Sequence, residues 1–372
     1  MRGRTQIMGS QKICFTSFFQ SYLRGNIKYL YGHFSQSEPD YHCYFVTKTK
    51  LVAQYLRENG IEAYSYDDKD GYLHLLKETP VIITSELTNI DKNNELFKDK
   101  KLIQLWDEIP LQKIGHAYEK ETVKGHFSGY HSVICTSKWA KETIMSHCFE
   151  GQHYPVMGCP KIDVLYRELS DFDALGVSQS AVQNCQNLVA ANQKIYIYAP
   201  SPQQFNQERV RSAISYFKAS HAILKSYNAH IVIPFLPSLF GETVVDQQSF
   251  TNIHFESNET DLYPLLRYSS GLITDYNAIY LDYLHTNKPI LFFPFDHTLF
   301  TQSDRGAFLE YSDIIPGLTV YNPNQLSQFL ELFFTQSYKE YASQRQAVRS
   351  LFFEYTDSEN CERIASYIQS LF

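Results

Sequence analysis

The residues whose types and spacing best define a chemistry are 271–295, GLITDYNAIYLDYLHTNKPILFFPF. Residues 271–273 have the pattern of a buried strand, 274–277 that of a polar turn with helix-capping residues, and 278–285 that of a helix. On a parallel sheet, a strand-to-helix turn presents unpaired backbone N–H groups and the positive end of a helix dipole, where phosphates bind. The first hypothesis is therefore that this segment binds a substrate that carries a phosphate.

The elements that would position this turn alternate between strands and helices along the whole chain, a pattern typical of parallel α/β sheets. The predicted strands are 12–18, 41–46, 80–84, 101–106, 131–135, 154–157, 194–199, 230–234, 252–256, 271–274, 290–295 and 318–321. They predict two similar α/β domains, residues 1–165 and 166–345. A C-terminal helical segment, residues 346–372, is expected to pack back on the body.

Composition supports this organisation and excludes several classes of protein. The 372 residues exceed what one core usually supports, and 44% hydrophobic with 20% charged residues indicates a globular chain. A net charge of -7, without a basic run among aromatics, argues against nucleic-acid binding. No apolar run reaches the about 20 residues that span a bilayer, and the N-terminus has no signal-peptide pattern. Both observations predict a cytoplasmic protein.

Metal and redox chemistry have no visible motif. The seven cysteines include no CxxC pair and no Cys/His cluster at zinc-ligand spacing, so they are interpreted as reduced, buried thiols. No DxD-type ligand pair occurs in a suitable loop. We therefore predict neither a metal nor a cofactor.

Six local motifs occur in the order in which a known family has them. They are GNIKYLY (25–31), QLWDEIPLQKIG (104–115), TSKWAKE (136–142), GCPKIDVLY (158–166), IYIYAPS (195–201) and the stretch 271–317, which contains LITDYNAIYLDYLHTNKPILFFPFD and DRGAFLEYSDIIPG. The chain resembles the CDP-glycerol glycerophosphotransferases of teichoic acid and capsule synthesis, a group that includes the teichoic acid primases and polymerases. An ordered series of matches is more specific than any single motif.

The resemblance implies a fold and a reaction. The fold would be GT-B, with two Rossmann-like domains whose parallel sheets face each other across a cleft. In the reaction, an acceptor hydroxyl would attack the β-phosphorus of CDP-glycerol, and CMP would leave. Carried over position by position, the donor-binding residues would be Ser201, Thr274, Asp275, Tyr276, Asn277, Ala278, Arg305 and Gly306. Among these, Arg305 could pair with a phosphate in bidentate fashion.

The chain also departs from the family pattern at the expected catalytic positions. The histidine of the family's "WHGTP" motif is Asp107 here, followed by Glu108, and the family's "HP" pair is replaced within residues 234–237. On these motifs, both expected catalytic histidines are absent. Asp107 and Glu108 are the catalytic candidates, because a carboxylate whose pKa is raised by burial can act as a general base.

Three functions remain open on the sequence alone. The first is a CDP-glycerol-type glycerophosphotransferase of surface-polymer synthesis, the second a GT-B glycosyltransferase using a nucleotide sugar, and the third a catalytically weak relative that binds a nucleotide or glycan. The expected partners are a nucleotide-activated donor and a glycan or lipid-linked acceptor. A peripheral contact with the inner face of the cytoplasmic membrane would use the stretch Lys98-Asp99-Lys100-Lys101.

Each candidate also has a purely structural interpretation. Asp275 could simply cap a helix, Asp107 and Glu108 could be solvated loop carboxylates, and Arg305 could be a solvated loop arginine. The position of Asp107 at the end of a predicted strand favours the functional interpretation.

Overall fold

The computed structural model describes residues 11–17, 23–87, 95–201, 207–234, 250–256, 260–298, 305–335 and 337–372. The chain forms two compact units. Unit 1 comprises Met1–Ile109, Lys113–Tyr166 and Phe353–Phe372, and unit 2 comprises Pro110–Gln112 and Arg167–Phe352. Apart from the short excursion at Pro110–Gln112, the chain leaves unit 1 after Tyr166 and returns to it at Phe353.

Unit 1 contains a seven-stranded parallel sheet in the order β3-β2-β1-β4-β5-β6-β7. Its strands are β1 (Gln11–Ser17), β2 (Tyr41–Thr47), β3 (Ala63–Ser65), β4 (Val81–Thr84), β5 (Lys101–Gln104), β6 (Tyr130–Val133) and β7 (Gly151–His153). Its α-helices are Gly25–Ser37, Lys50–Glu58, Lys69–Lys77, Lys138–Ala140, Ser146–Cys148, Asp163–Tyr166 and Asn360–Gln369, with a π turn at Lys141–Met145 and 3-10 turns at Gly115–Ala117, Lys124–Phe127 and Pro160–Ile162. Every residue of β4 is buried, as expected for a central strand of a sheet covered on both faces.

Unit 2 contains a six-stranded parallel sheet in the order β10-β9-β8-β11-β12-β13. Its strands are β8 (Lys194–Ala199), β9 (Ala229–Ile233), β10 (Ile253–Phe255), β11 (Gly271–Thr274), β12 (Ile290–Phe292) and β13 (Leu318–Thr319). Its α-helices are Gln179–Ala190, Gln207–Ala219, His221–Ser226, Tyr263–Tyr268, Ile279–Tyr283, Leu326–Thr335, Ser337–Glu340 and Ala342–Phe352, with 3-10 turns at Leu284–Thr286, Tyr311–Asp313 and Pro323–Gln325. The strand order reverses between β8 and β11, so ligands are expected at the carboxyl ends of these two strands.

Two parallel sheets with helices between their strands confirm the predicted α/β fold. The predicted bounds of β8 and β11 match the structure. The prediction missed β3, because a three-residue edge strand gives little periodic signal. It was wrong for residues 154–157, since the strand is Gly151–His153 and Val156 makes only an isolated bridge to Cys135.

A histidine pair in unit 2 is expected to make stability depend on pH. His230 and His254 lie on neighbouring strands with stacked rings, and His230 Nδ1 is 2.9 Å from His254 Nε2. Burial, with a smaller contribution from the charge of His230, lowers the pKa of His254 to about 4. Because the unfolded chain then binds more protons between about pH 4 and pH 6.5, the free energy of unfolding should fall by up to about 3 kcal/mol as pH drops through this window.

Chemical denaturation at several pH values, followed by circular dichroism, measures this effect. The variant His254→Gln should unfold with a shallower pH dependence than the wild-type protein. Equal slopes for the two proteins would show that the pair does not carry the effect.

None of the helices in the described ranges has both the length and the apolar character needed to cross a membrane. The lysine stretch proposed for a peripheral contact is partly engaged within unit 1. Lys100 donates to the carbonyl of Thr79 at 2.6 Å, and Lys101 donates to the carbonyl of Leu371. These hydrogen bonds hold both ammonium groups against unit 1 but leave their positive charge in place.

Candidate functional site

The predicted phosphate turn, residues 274–278, lies at the carboxyl end of β11, where the strand order reverses. Thr274 is fully buried, and its hydroxyl donates to the carbonyl of Ala199 at the end of β8, with a distance of 2.6 Å. The two strand ends are thereby joined by a side chain as well as by the ladder. The short helix Ile279–Tyr283 begins directly after the turn.

Asp275 is a buried structural centre of this turn. Its Oδ1 accepts backbone N–H groups from Ser201 at 2.7 Å, Tyr276 at 2.5 Å and Asn277 at 3.1 Å. Its side chain is fully buried. Burial raises the pKa of the Asp275 carboxyl above its usual range, while these donors and a neighbouring arginine oppose the rise. Asp275 therefore holds the turn in shape, and its committed oxygens are poorly suited to contact a ligand.

Arg209, in the helix Gln207–Ala219, supplies the neighbouring positive charge. Its Nη2 lies 2.6 Å from Asp275 Oδ2, and its Nε lies 2.6 Å from Asp296 Oδ2. The guanidinium also lies 5.6 Å from the ring centres of Tyr276 and Phe295. Arg209 is 8% exposed, so this is a buried cation held between two carboxylates and two rings.

Asn277 links the turn to the helix that follows. Its side-chain oxygen accepts the N–H of Ile279 at 3.0 Å, and its side-chain nitrogen donates to the carbonyl of Pro200 at 3.0 Å. Ala278 is buried and precedes the first helical residue. The asparagine thus performs the capping role that the sequence assigned to the turn.

Aromatic rings pack against the turn. The ring centres of Tyr276 and Tyr311 are 5.1 Å apart, and the rings of Tyr276 and His297 are stacked at 6.2 Å. The hydroxyl of Tyr311 donates to the carbonyl of Asp275 at 2.9 Å. Burial raises the pKa of the Tyr276 and Tyr311 hydroxyls well above their usual range, so both remain protonated donors at neutral pH.

Arg305 and Gly306 follow in the same unit. Arg305 is half-buried, and Gly306 is exposed with a left-handed φ of 66°. The next two residues are anchored, because Ala307 pairs with Gln112 and the N–H of Phe308 donates to the carbonyl of Leu111. These two contacts therefore hold the backbone that directly follows Arg305 and Gly306.

In unit 1, Asp107 follows β5 and contacts the start of the helix Gly25–Ser37. Its Oδ1 accepts the backbone N–H of Asn26 at 2.7 Å. Asn26 also donates through its side-chain nitrogen to the carbonyl of Trp106 at 2.8 Å. Asp107 is half-buried, whereas Glu108 is exposed. The first carboxylate is thus positioned by the start of this helix.

The side chain of Asn26 fixes a second segment against Asp107. Asn26 is 1% exposed, and its Oδ1 accepts the N–H of Lys161 and the thiol of Cys159, each at 3.2 Å. The buried Lys161 also donates through Nζ to the carbonyl of Asp107. Asn26 and Lys161 thus hold the backbone on both sides of the candidate base.

This segment extends to the C-terminal helix. Asp163 is buried and accepts the N–H groups of Asn360 at 3.0 Å and Cys361 at 2.8 Å, which satisfies two of the free N–H groups at the start of that helix. The side-chain oxygen of Asn360 in turn accepts the N–H of Cys159 at 3.2 Å. Residues 158–163 therefore connect the Asp107 region to residues near the end of the chain.

Gly25 is required by the position of Asp107. It has a left-handed φ of 71°, and a Cβ built on it would lie 2.5 Å from both carboxylate oxygens of Asp107. We expect Gly25→Ala to lower the free energy of unfolding by about 2–4 kcal/mol, since backbone strain and a clash add. Denaturation followed by tryptophan fluorescence measures this loss.

Gly60→Ala is the matched control for this prediction. Gly60 has a φ of 78°, and a Cβ added to it would meet nothing within 4 Å, so it isolates the backbone contribution. If both variants lose the same stability, close contact between Gly25 and Asp107 is not what requires the glycine.

Sequence reasoning missed Arg209, Asp296 and Asn26. The first two contribute to the buried charge group at the turn, and the third holds Asp107. A capping pattern can be recognised within a few residues, whereas Arg209 is separated from Asp275 by 66 positions. An arginine in a helix therefore carries no local signal that it pairs with a distant buried carboxylate.

The architecture of the chain is that of a known class of two-sheet α/β protein. A solved structure of the wall teichoic acid polymerase TagF matches with a TM-score of 0.74 and 18% identity, covering 96% of this chain and 88% of that one. At this identity the match defines the fold. The chain belongs to the family described as CDP-Glycerol:Poly(glycerophosphate) glycerophosphotransferase, whose sequence model matches residues 2–370.

Two curated relatives are consistent with this membership. The teichoic acid glycerol-phosphate primase of Bacillus subtilis (strain 168) is 22% identical over 346 residues, which cover 87% of this chain and 85% of the primase. The teichoic acid poly(glycerol phosphate) polymerase of Staphylococcus epidermidis (strain RP62A) is 22% identical over 342 residues. That match covers 86% of this chain and 45% of the polymerase, so the chain spans about half the length of this relative.

Proposed function

We propose that this protein transfers glycerol phosphate from CDP-glycerol to a hydroxyl group of a glycan or lipid-linked acceptor during synthesis of a surface polymer. The observation that carries the proposal is the family match over residues 2–370. The position of the turn at the carboxyl end of β11, where the strand order reverses, supports it, because parallel sheets bind their ligands there. The reaction would take place in the cytoplasm, at the inner face of the membrane.

In the proposed reaction, the acceptor oxygen forms a bond to the β-phosphorus of CDP-glycerol. The bond between that phosphorus and the bridging oxygen breaks, and CMP leaves with the electron pair. The acceptor proton passes to a carboxylate, for which Asp107 is the first candidate and Glu108 the second. Proton removal and charge neutralisation are the main tasks of a protein in phosphoryl transfer.

The donor would bind through unit 2. Arg305 is the proposed phosphate contact, and Ser201, Asn277 and Gly306 would lie around the donor, since the N–H groups of Ser201, Tyr276 and Asn277 already donate to Asp275 Oδ1. Thr274 and Asp275 would act through the shape of the turn, since both side chains are fully buried and bonded to protein groups. Tyr276 and Ala278 would form the surrounding wall.

The proposed phosphate contact of Arg305 predicts a defect in donor binding. Arg305→Ala should raise the KM for the donor about tenfold or more, because a charge-assisted hydrogen bond is worth about 1.5–3 kcal/mol. Arg305→Lys should recover only part of the affinity, since lysine cannot form a bidentate pair. Steady-state kinetics with varied CDP-glycerol measure both values.

Arg211→Ala is the control, because Arg211 is an exposed arginine of the same unit. Its KM should stay close to that of the wild-type protein. An unchanged KM in Arg305→Ala would remove this residue from the donor site.

The class of reaction is tested by offering the protein three donors with the same acceptor. CDP-glycerol, a UDP-sugar and a GDP-sugar are incubated separately, and the released nucleotide is identified by chromatography. We expect CMP from CDP-glycerol. Release of a nucleoside diphosphate from a sugar nucleotide would instead select a glycosyltransferase, and nucleotide binding without release would select a binding protein.

A further inference from the structure

We propose that His33, Glu38 and Glu362 form a site for a divalent cation of the zinc type within unit 1. The three residues come from the ends of two neighbouring helices. His33 lies near the end of the helix Gly25–Ser37, Glu38 directly follows that helix, and Glu362 lies in the first turn of the helix Asn360–Gln369. One imidazole nitrogen and two carboxylate oxygens are ligands that zinc takes readily.

The distances between the candidate ligand atoms favour a shared ion. His33 Nε2 lies 3.5 Å from Glu362 Oε2 and 3.8 Å from Glu38 Oε1, and all three ligand atoms lie within 4.8 Å of one another. Two ligands of one tetrahedral zinc ion are separated by about 3.3 Å, as follows from metal–ligand distances of about 2.0–2.1 Å. Small movements of the two carboxylates would therefore complete three ligands of such an ion.

The state of His33 Nε2 provides a second, independent observation. This nitrogen is buried and has no hydrogen-bond partner among the described residues, although two carboxylates lie close to it. A protonated imidazole facing a carboxylate commonly forms a charge-assisted bond of about 2.7–2.9 Å, which is shorter than either distance here. A buried nitrogen that faces two acceptors without bonding either is suited to bind a cation that lies between them.

The local charge also favours a divalent ion. The two carboxylates together carry two negative charges. One proton on the imidazole would compensate one of these charges, whereas a divalent ion bound to neutral His33 would compensate both. Access is available, because the Glu362 side chain is 64% exposed while that of His33 is 16% exposed. The site is thus closed on the histidine side and open to solvent on the glutamate side.

An ion at this site would link the C-terminal helix to the helix that carries Asn26 and Gly25 at its other end. Its primary effect is therefore on the stability of unit 1. The inference does not depend on which donor the protein uses, and it can be tested without measuring activity. Glu362 is more than 300 positions from His33 and Glu38, so a search for zinc-ligand spacing does not detect the three residues together.

Titration of metal-free protein with zinc chloride in a calorimeter tests the proposal. We expect one ion per chain and a higher unfolding temperature in the presence of zinc. Glu362→Gln should weaken binding by about 100-fold or more, since even the loss of an outer-shell partner commonly costs 10–100-fold. The substituted position is well exposed, so the variant should fold.

Glu359→Gln is the matched control, since Glu359 precedes the same helix and its side chain is 72% exposed. It should bind zinc like the wild-type protein. The buried cysteines are unchanged in both variants. Any binding of zinc to thiols would therefore contribute equally to the titrations of Glu362→Gln and Glu359→Gln. Absence of stoichiometric binding, or equal affinity of the two variants, would overturn the proposal.

Discussion

Asp107→Asn is expected to lower kcat for CMP release by about 10²- to 10⁴-fold, the range for loss of a general base. The amide oxygen can still accept the N–H of Asn26, so the fold and the KM for the donor should change little. Rapid-quench or steady-state kinetics, together with a denaturation curve for each protein, separate a chemical defect from a structural one.

Asp67→Asn provides the control for this experiment. Asp67 is an exposed carboxylate that follows β3 of the same sheet, and its loss should leave kcat within about twofold of wild type. Glu108→Gln is the informative second variant. If Glu108→Gln abolishes turnover while Asp107→Asn does not, the proton acceptor is Glu108.

Asp275→Asn is expected to destabilise unit 2 by about 3–5 kcal/mol. The substitution leaves Arg209 with Asp296 as its carboxylate partner and an amide at the buried Asp275 position, and breaking one side of a buried ion pair has costs of this size. Loss of the turn should also abolish donor binding. Both tryptophans, Trp106 and Trp139, belong to unit 1, so tryptophan fluorescence does not directly report this loss.

Hydrogen exchange of peptides spanning β8 and β11 is therefore the appropriate measurement. Their amides should lose protection in Asp275→Asn, whereas peptides spanning β5 should exchange as in the wild-type protein. The triple variant Asp275→Asn, Arg209→Met and Asp296→Asn removes all three charges and should recover part of the protection. Unchanged exchange of β11 in the single variant would contradict the structural role of Asp275.

The local features of the site could be predicted from the sequence. Alternation of apolar segments predicted both sheets, and the capping residues located the turn after β11. Asn277 accepts the N–H of Ile279, two residues further along, and donates to the carbonyl of Pro200, which follows the adjacent strand β8. Such short-range geometry follows directly from residue type and position.

The contacts that decide the role of each side chain could not be predicted in this way. The motif around Asp275 predicts a ligand contact, yet its side chain is enclosed because Ser201 and Arg209 reach it from distant positions. The sequence around Asp107 also fits a solvated loop carboxylate, yet Asn26 lies 81 positions away and fixes it. Burial and long-range pairing arise from the topology of the sheet, which a local pattern does not encode.

The most direct test of the proposed function uses CDP-glycerol that carries ¹⁴C in the glycerol and ³²P in the β-phosphate. The protein is incubated with this donor and a synthetic lipid-linked acceptor that ends in a free hydroxyl. We predict that both labels enter the acceptor in equal molar amounts while unlabelled CMP is released. Transfer of ¹⁴C without ³²P, or intact CDP-glycerol together with turnover of a UDP-sugar on the same acceptor, would contradict the account.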